Sequence, residues 1–128
     1  MKNKIIASIV LLVFDALWIS VFMGKQYQEF IPRIQGSNLK VNPAYTILSY
    51  ALMITGLVIF VLPNISKENA LQDSLKYGFT FGIVLYGVYD FTAAAVLTEW
   101  DIKTALLDIL WGGIVFTVSS FIGTKFGD

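Results

Sequence analysis

Three aspartates, Asp15, Asp90 and Asp108, stand inside long apolar stretches of this chain. An aspartate at the centre of a membrane span costs roughly 2.5 to 3.5 kcal/mol on insertion scales, so such residues turn inward and find partners. The chemistry open to them is that of oxygen acids: holding and releasing a proton, or holding a cation or small solute. Two of them recur in one local pattern, Asp15-Ala16-Leu17-Trp18 and Asp108-Ile109-Leu110-Trp111, which sets carboxyl and indole on one helix face at i and i+3. Tyr86 stands one turn before Asp90, with Tyr89 and Thr92 beside it, and Tyr45, Ser49 and Tyr50 lie on another segment. Hydroxyls and indole N–H groups are the donors a buried carboxylate needs. The expected site for a ligand or proton is therefore Asp15, Trp18, Tyr86, Tyr89, Asp90, Thr92, Asp108 and Trp111.

Other chemistry is missing. The chain has no Cys and no His, which removes thiolate nucleophiles, disulfides, imidazole bases and the usual transition-metal ligands together. No Gly-x-Ser-x-Gly, HExxH or phosphate-loop motif accompanies its serines and threonines. No catalytic residue, metal ligand set or cofactor is assigned. Nine basic and nine acidic residues give zero net charge, so there is no electrostatic footprint for nucleic acid. No Lys, Arg or His accompanies the three aspartates at their depth. Crowded carboxyls without a counter-charge are expected to share a proton.

The elements that must position these residues follow from composition. Hydrophobic residues make up 56% of the 128 and charged residues 14%, against about 25% charged in soluble domains, and the mean hydropathy is +0.71. A hydrocarbon core of about 30 Å needs roughly 20 apolar residues in a helix rising 1.5 Å per residue. Four segments qualify, at about 5–23, 44–62, 75–97 and 105–126, so the expectation is an all-α integral membrane protein, a single domain over residues 1–128 built as a bundle of four transmembrane helices. Lipid permits nothing else, because it offers exposed backbone no hydrogen bond. Lys2 and Lys4 before the first apolar run mimic a secretory leader, but Asp15 interrupts the run and no small-residue cleavage site follows, which predicts a retained span.

Punctuation agrees. Asn42-Pro43 is a cap followed by proline at the first helical position, Pro63-Asn64 stops the second helix, 66–73 reads as a polar turn, and Asp101 or Thr104 caps the fourth helix. The third connection is short enough to make helices three and four antiparallel neighbours, and Gly78-x-x-x-Gly82 suggests close contact, with Gly112-Gly113 as partner. Residues 24–42 mix Lys25, Glu29, Arg33 and Lys40 with Tyr27, Phe30, Ile31 and Ile34 and read as an amphipathic segment along the headgroup boundary, with a binding lid as the alternative. Counted from the face carrying the first and third connections, Asp15 lies about 12 Å deep, Asp90 about 10 Å and Asp108 about 6 Å. Five basic residues against four place both termini in the cytoplasm. The two Asp-x-x-Trp patterns lie on helices of opposite direction, so any internal repeat is an inverted one.

Taken together, Asp15-x-x-Trp18, Tyr89-Asp90-x-Thr92, Trp100 and Asp108-x-x-Trp111-Gly112 resemble the predicted membrane proteins classed as domain of unknown function 2177, over nearly the whole chain. The family pattern has an asparagine after the threonine, where this chain has Ala93. The resemblance implies a small polytopic membrane protein and the same polar residues, without an activity. The functional expectation is binding or transport of a proton, cation or small solute, with membrane lipids as surroundings and a homodimer as the assembly that would enlarge a pathway. The alternatives are a structural or accessory subunit, or a lipid-modifying enzyme using carboxyls in acid–base chemistry or as oxygen ligands for a hard cation.

Overall fold

The computed structural model describes residues 1–127. Four helices in it are long and apolar enough to cross a membrane: α1 (Lys2–Gln35), α2 (Pro43–Asn64), α3 (Ala70–Val96) and α4 (Ile102–Phe126). The expected four-helix membrane bundle is therefore present. Helix ends behave as the local sequence dictates. Asn42 accepts from the Ala44 N–H at 3.0 Å with Pro43 in the first turn, and Asp101 accepts from the Thr104 N–H at 3.2 Å and from the Thr104 hydroxyl. Both satisfy donors that a helix start leaves orphaned. Gly36 ends α1 at φ 75°, its N–H on the Pro32 carbonyl, a left-handed conformation that glycine adopts without steric cost.

Two boundaries differ from expectation. Helix α1 does not stop near residue 23; its 34 residues span about 51 Å at 1.5 Å each, well beyond a hydrocarbon core of about 30 Å. Residues 24–35 hold charges but no residue that must end a helix, since even Pro32 needs only the loss of one hydrogen bond. The polar turn at 66–73 is likewise shorter, because α3 begins at Ala70.

Helix α4 is the axis of the bundle. More than half of its apolar window is buried, against roughly a quarter or less in the other three, and it packs along both α1 and α3. Small residues make this possible. A Cβ at Gly82 would collide with the Gly112 carbonyl, one at Gly78 would lie 2.9 Å from the Phe116 carbonyl, and one at Gly123 would strike Ala7. The α3–α4 contact through Gly78, Gly82 and Gly112 is the one the glycine spacing suggested, and van der Waals packing of this kind is what holds helices together in lipid. The apolar core, Ala7, Leu11, Met53, Leu57, Val61, Leu62, Val115 and Phe116, joins α1, the second half of α2, and α4. The first half of α2, from residue 43 to 49, stays exposed and leans on none of it.

Three helices carry a π-helical turn, at Ile19–Met23, Leu57–Val61 and Ser74–Gly78. Such a turn accommodates one extra residue and rotates everything beyond it by about 100°. In α1 this matters to the site.

Candidate functional site

Asp15, on α1, is 5% exposed and is held by all three other helices. The Tyr50 hydroxyl of α2 donates to Oδ2 at 2.9 Å, the Tyr86 hydroxyl of α3 donates to Oδ1 at 2.8 Å, and the Trp111 indole N–H of α4 donates to Oδ1 at 3.0 Å. Three donors converge on one carboxyl. Each donor comes from a different helix, so this one group ties the bundle together.

Asp90 and Asp108 form a second station. They are 1% and 6% exposed and face one another between α3 and α4. The Trp18 indole stands beside Asp108 and the Trp100 indole beside Asp90. Both Asp90 oxygens and the Trp18 and Trp100 indole N–H groups are buried without a partner in hydrogen-bonding geometry. Buried polar atoms of native proteins are normally paired. The two stations are neighbours, and they differ in that the Asp15 carboxyl takes three hydrogen bonds.

The two Asp-x-x-Trp patterns meet by exchange. Trp111 serves the aspartate of the other pattern, Asp15, and Trp18 stands at Asp108. The indoles stack on each other with centroids 4.8 Å apart and planes 9° from parallel. Sequence spacing put each tryptophan near its own aspartate; the antiparallel packing of α1 and α4 hands it to the partner instead.

A cleft of about 850 Å³ opens over this arrangement, between α1, α3 and the exposed half of α2. Asp15 and Asp108 lie in its wall with the rings of Trp18, Tyr27, Tyr50 and Tyr86, and no Lys or Arg among the described residues lines it. Tyr27 reaches the cleft because of the first π-turn. Twelve residues after Asp15, a regular helix would point it about 120° away, whereas one residue accommodated in the π-turn reduces this to about 20°. The same rotation buries Phe30, which is 2% exposed and meets Trp100 edge-on at 5.1 Å. Tyr27 and Tyr89 also pack on Trp100, at 6.1 and 5.8 Å. The extension of α1 thus packs aromatic rings over the end of the acidic pair.

Of the residues singled out from the sequence, Asp15, Trp18, Tyr86, Asp90, Asp108 and Trp111 come together in the interior. Tyr89 lines the cleft while remaining half exposed. Thr92 does not join them: it lies on the outer surface, because two residues beyond Asp90 is about 200° around a helix. Of the three carboxyls, Asp90 and Asp108 face one another and Asp15 lies beside Asp108 in the same cleft. Tyr45 and Ser49 stay exposed at the cleft mouth, and only Tyr50 reaches an acid. Tyr27 and Trp100 are the members that spacing did not identify as site residues; the π-turn that brings Tyr27 in has no signature in hydropathy. Among the described residues no group of three acidic side chains is placed to hold a metal ion.

A family model described as a predicted membrane protein, DUF2177, matches residues 1–125. No curated protein and no solved structure matches the chain.

Proposed function

The chain belongs to the DUF2177 family of predicted membrane proteins, and we propose that it binds a cationic solute in its cleft, with Asp90 and Asp108 holding a proton that the cation replaces. The observation that carries this is the lining: two buried carboxyls and a set of aromatic rings, with no Lys or Arg to offset them among the described residues. Carboxylates attract cations, ring faces do the same through their quadrupoles, and both effects grow where water is excluded.

The three acids divide the work. Asp15 accepts from Tyr50, Tyr86 and Trp111 and serves as the keystone of the bundle. Asp108 belongs both to the cleft wall and to the pair with Asp90, so a charge arriving in the cleft is felt by the pair. Two carboxyls face to face hold one proton between them more readily than two negative charges. A cation beside Asp108 supplies the missing positive charge and lets that proton go.

Movement of the solute across the bilayer, as opposed to binding, is assigned to a homodimer, which would enlarge the pathway. Both termini are assigned to the cytoplasm on the weak basic bias of the sequence.

The test uses the purified chain in dodecyl maltoside titrated with tetraphenylphosphonium, a compact lipophilic cation. Saturable binding with proton release into a weakly buffered solution is expected, with both lost in Asp108→Asn and the proton release alone lost in Asp90→Asn. Absence of saturable binding to the folded parent chain would remove the proposal.

A further inference from the structure

We infer that the solute is an amphiphile, an ammonium headgroup carried on an alkyl or acyl chain, which enters sideways from the bilayer between α1 and the first half of α2. The inference rests on the cation-binding reading above and adds the ligand class and its route.

The cleft is graded along the membrane normal. From Asn42 into α2 the polar contributors Asn42, Tyr45, Thr46, Ser49 and Tyr50 come first, interrupted by Leu48, and the apolar Leu52 and Met53 come after them. Measured from Asn42 at 1.5 Å per residue, Tyr45 lies about 4 Å in and Met53 about 16 Å in. On the opposite wall Tyr89 is followed, one turn deeper, by Leu85. Asp108, near the start of α4, belongs to the shallow end. A ligand with its charge at Asp108 and its chain along Leu52, Met53 and Leu85 therefore has the orientation of a lipid in that leaflet.

The opening is lateral because of how α2 is held. Its second half is locked into the core through Met53, Leu57, Val61 and Leu62, while residues 43–49 are exposed and Tyr45 and Leu48 are 70% and 58% exposed. The gap beside them faces hydrocarbon. An apolar slot at this depth has chains, not water, as its neighbours, and what selects among them is the carboxyls in its wall, Asp108 and, deeper, Asp15. Carboxylates with aromatic faces favour an ammonium and disfavour phosphate- or sulfate-headed chains, whose negative charge meets Asp15 and Asp108 without a compensating base.

Three probes separate chain from charge in native mass spectrometry of the full chain in dodecyl maltoside. Dodecyltrimethylammonium has both, tetramethylammonium has the charge without the chain, and dodecyldimethylamine oxide has the chain without a net charge. Retention of dodecyltrimethylammonium at least roughly tenfold tighter than either control is expected, a difference of about 1.4 kcal/mol. Asp108→Asn should bring it down to the level of the amine oxide, and Leu52→Trp, which alters the apolar wall and leaves the acids intact, should weaken dodecyltrimethylammonium more than tetramethylammonium. If tetramethylammonium binds as tightly as the amphiphile, the chain is irrelevant and the inference fails while cation binding stands. If no cation binds, both fail together. A third result, a dimer whose mass is stable and whose cleft ignores every probe, would assign the slot to a second copy and also overturn the inference.

Discussion

The Asp15 hub offers the most direct test of the geometry. Asp15→Ala removes the acceptor of three hydrogen bonds, from Tyr50 at 2.9 Å, Tyr86 at 2.8 Å and Trp111 at 3.0 Å. Interhelical hydrogen bonds within membranes contribute about 0.6 kcal/mol on average and up to about 1.7 kcal/mol, so three of them amount to a loss of roughly 2 to 5 kcal/mol. Tyr86→Phe removes one bond and should cost about 1 kcal/mol by the same scale. The two effects must not add. Once Asp15 is gone the Tyr86 hydroxyl is an orphan in a half-buried site, so removing it becomes neutral or favourable. The double-mutant cycle should therefore return a coupling of about 1 kcal/mol, while the cycle with the exposed Tyr45→Phe should return about zero. The assay is the equilibrium loss of helix, read by far-ultraviolet circular dichroism, as dodecyl sulfate replaces dodecyl maltoside in mixed micelles. A coupling for Asp15 and Tyr86 within about 0.3 kcal/mol of zero, the usual error of additivity, would show that the hub does not exist as described.

Other expectations follow from the same contacts. Gly82→Ala should destabilise the bundle by several kcal/mol in that micelle assay, since its methyl group would occupy the Gly112 carbonyl, whereas at Gly87 the nearest atom is the Ile109 Cγ2 at 4.0 Å, so Gly87→Ala should be neutral or gain up to about 1 kcal/mol of helix propensity. Infrared difference spectra should show the protonated-carboxyl stretch altered by Asp90→Asn and by Asp108→Asn but not by a change of the exposed Glu68; an unaltered band in both aspartate variants would dissolve the shared-proton pair. With no native cysteine, single cysteines at Ser37 and Ser66 report topology without background. Labelling of Ser37→Cys, and not Ser66→Cys, by an impermeant maleimide from outside the cell is the result expected for cytoplasmic termini, and the reverse pattern inverts the orientation.

How much of this was legible in the residues differs from element to element. Helices α2 to α4 end within a few residues of where apolar length and the caps at Asn42 and Asp101 put them, because those signals are local. The extension of α1 was not legible: residues 24–35 are polar enough to read as a boundary segment, and their continuation of the helix and the contact of Phe30 with Trp100 appear only in the packed bundle. The acids were found by their cost in hydrocarbon, whereas Tyr27 was passed over because its role depends on a π-turn. Thr92 was included because sequence proximity to Asp90 looks like spatial proximity, which a helix contradicts at a separation of two.

By itself, the sequence determined the solvent and hence the architecture: a chain this apolar must span, must be helical where it spans, and must bring its aspartates inward at whatever depth their numbering dictates. The tertiary structure alone decided which partner each acid found. That choice depends on helix crossings and on one rotation within α1, neither of which leaves a trace in local periodicity, whereas the glycines that let α3 and α4 approach to backbone contact were visible in their spacing. The result is that Asp15 takes hydrogen bonds from Tyr50, Tyr86 and Trp111 while Asp90 is set against Asp108 and Trp100, although the sequence presents them as equivalent.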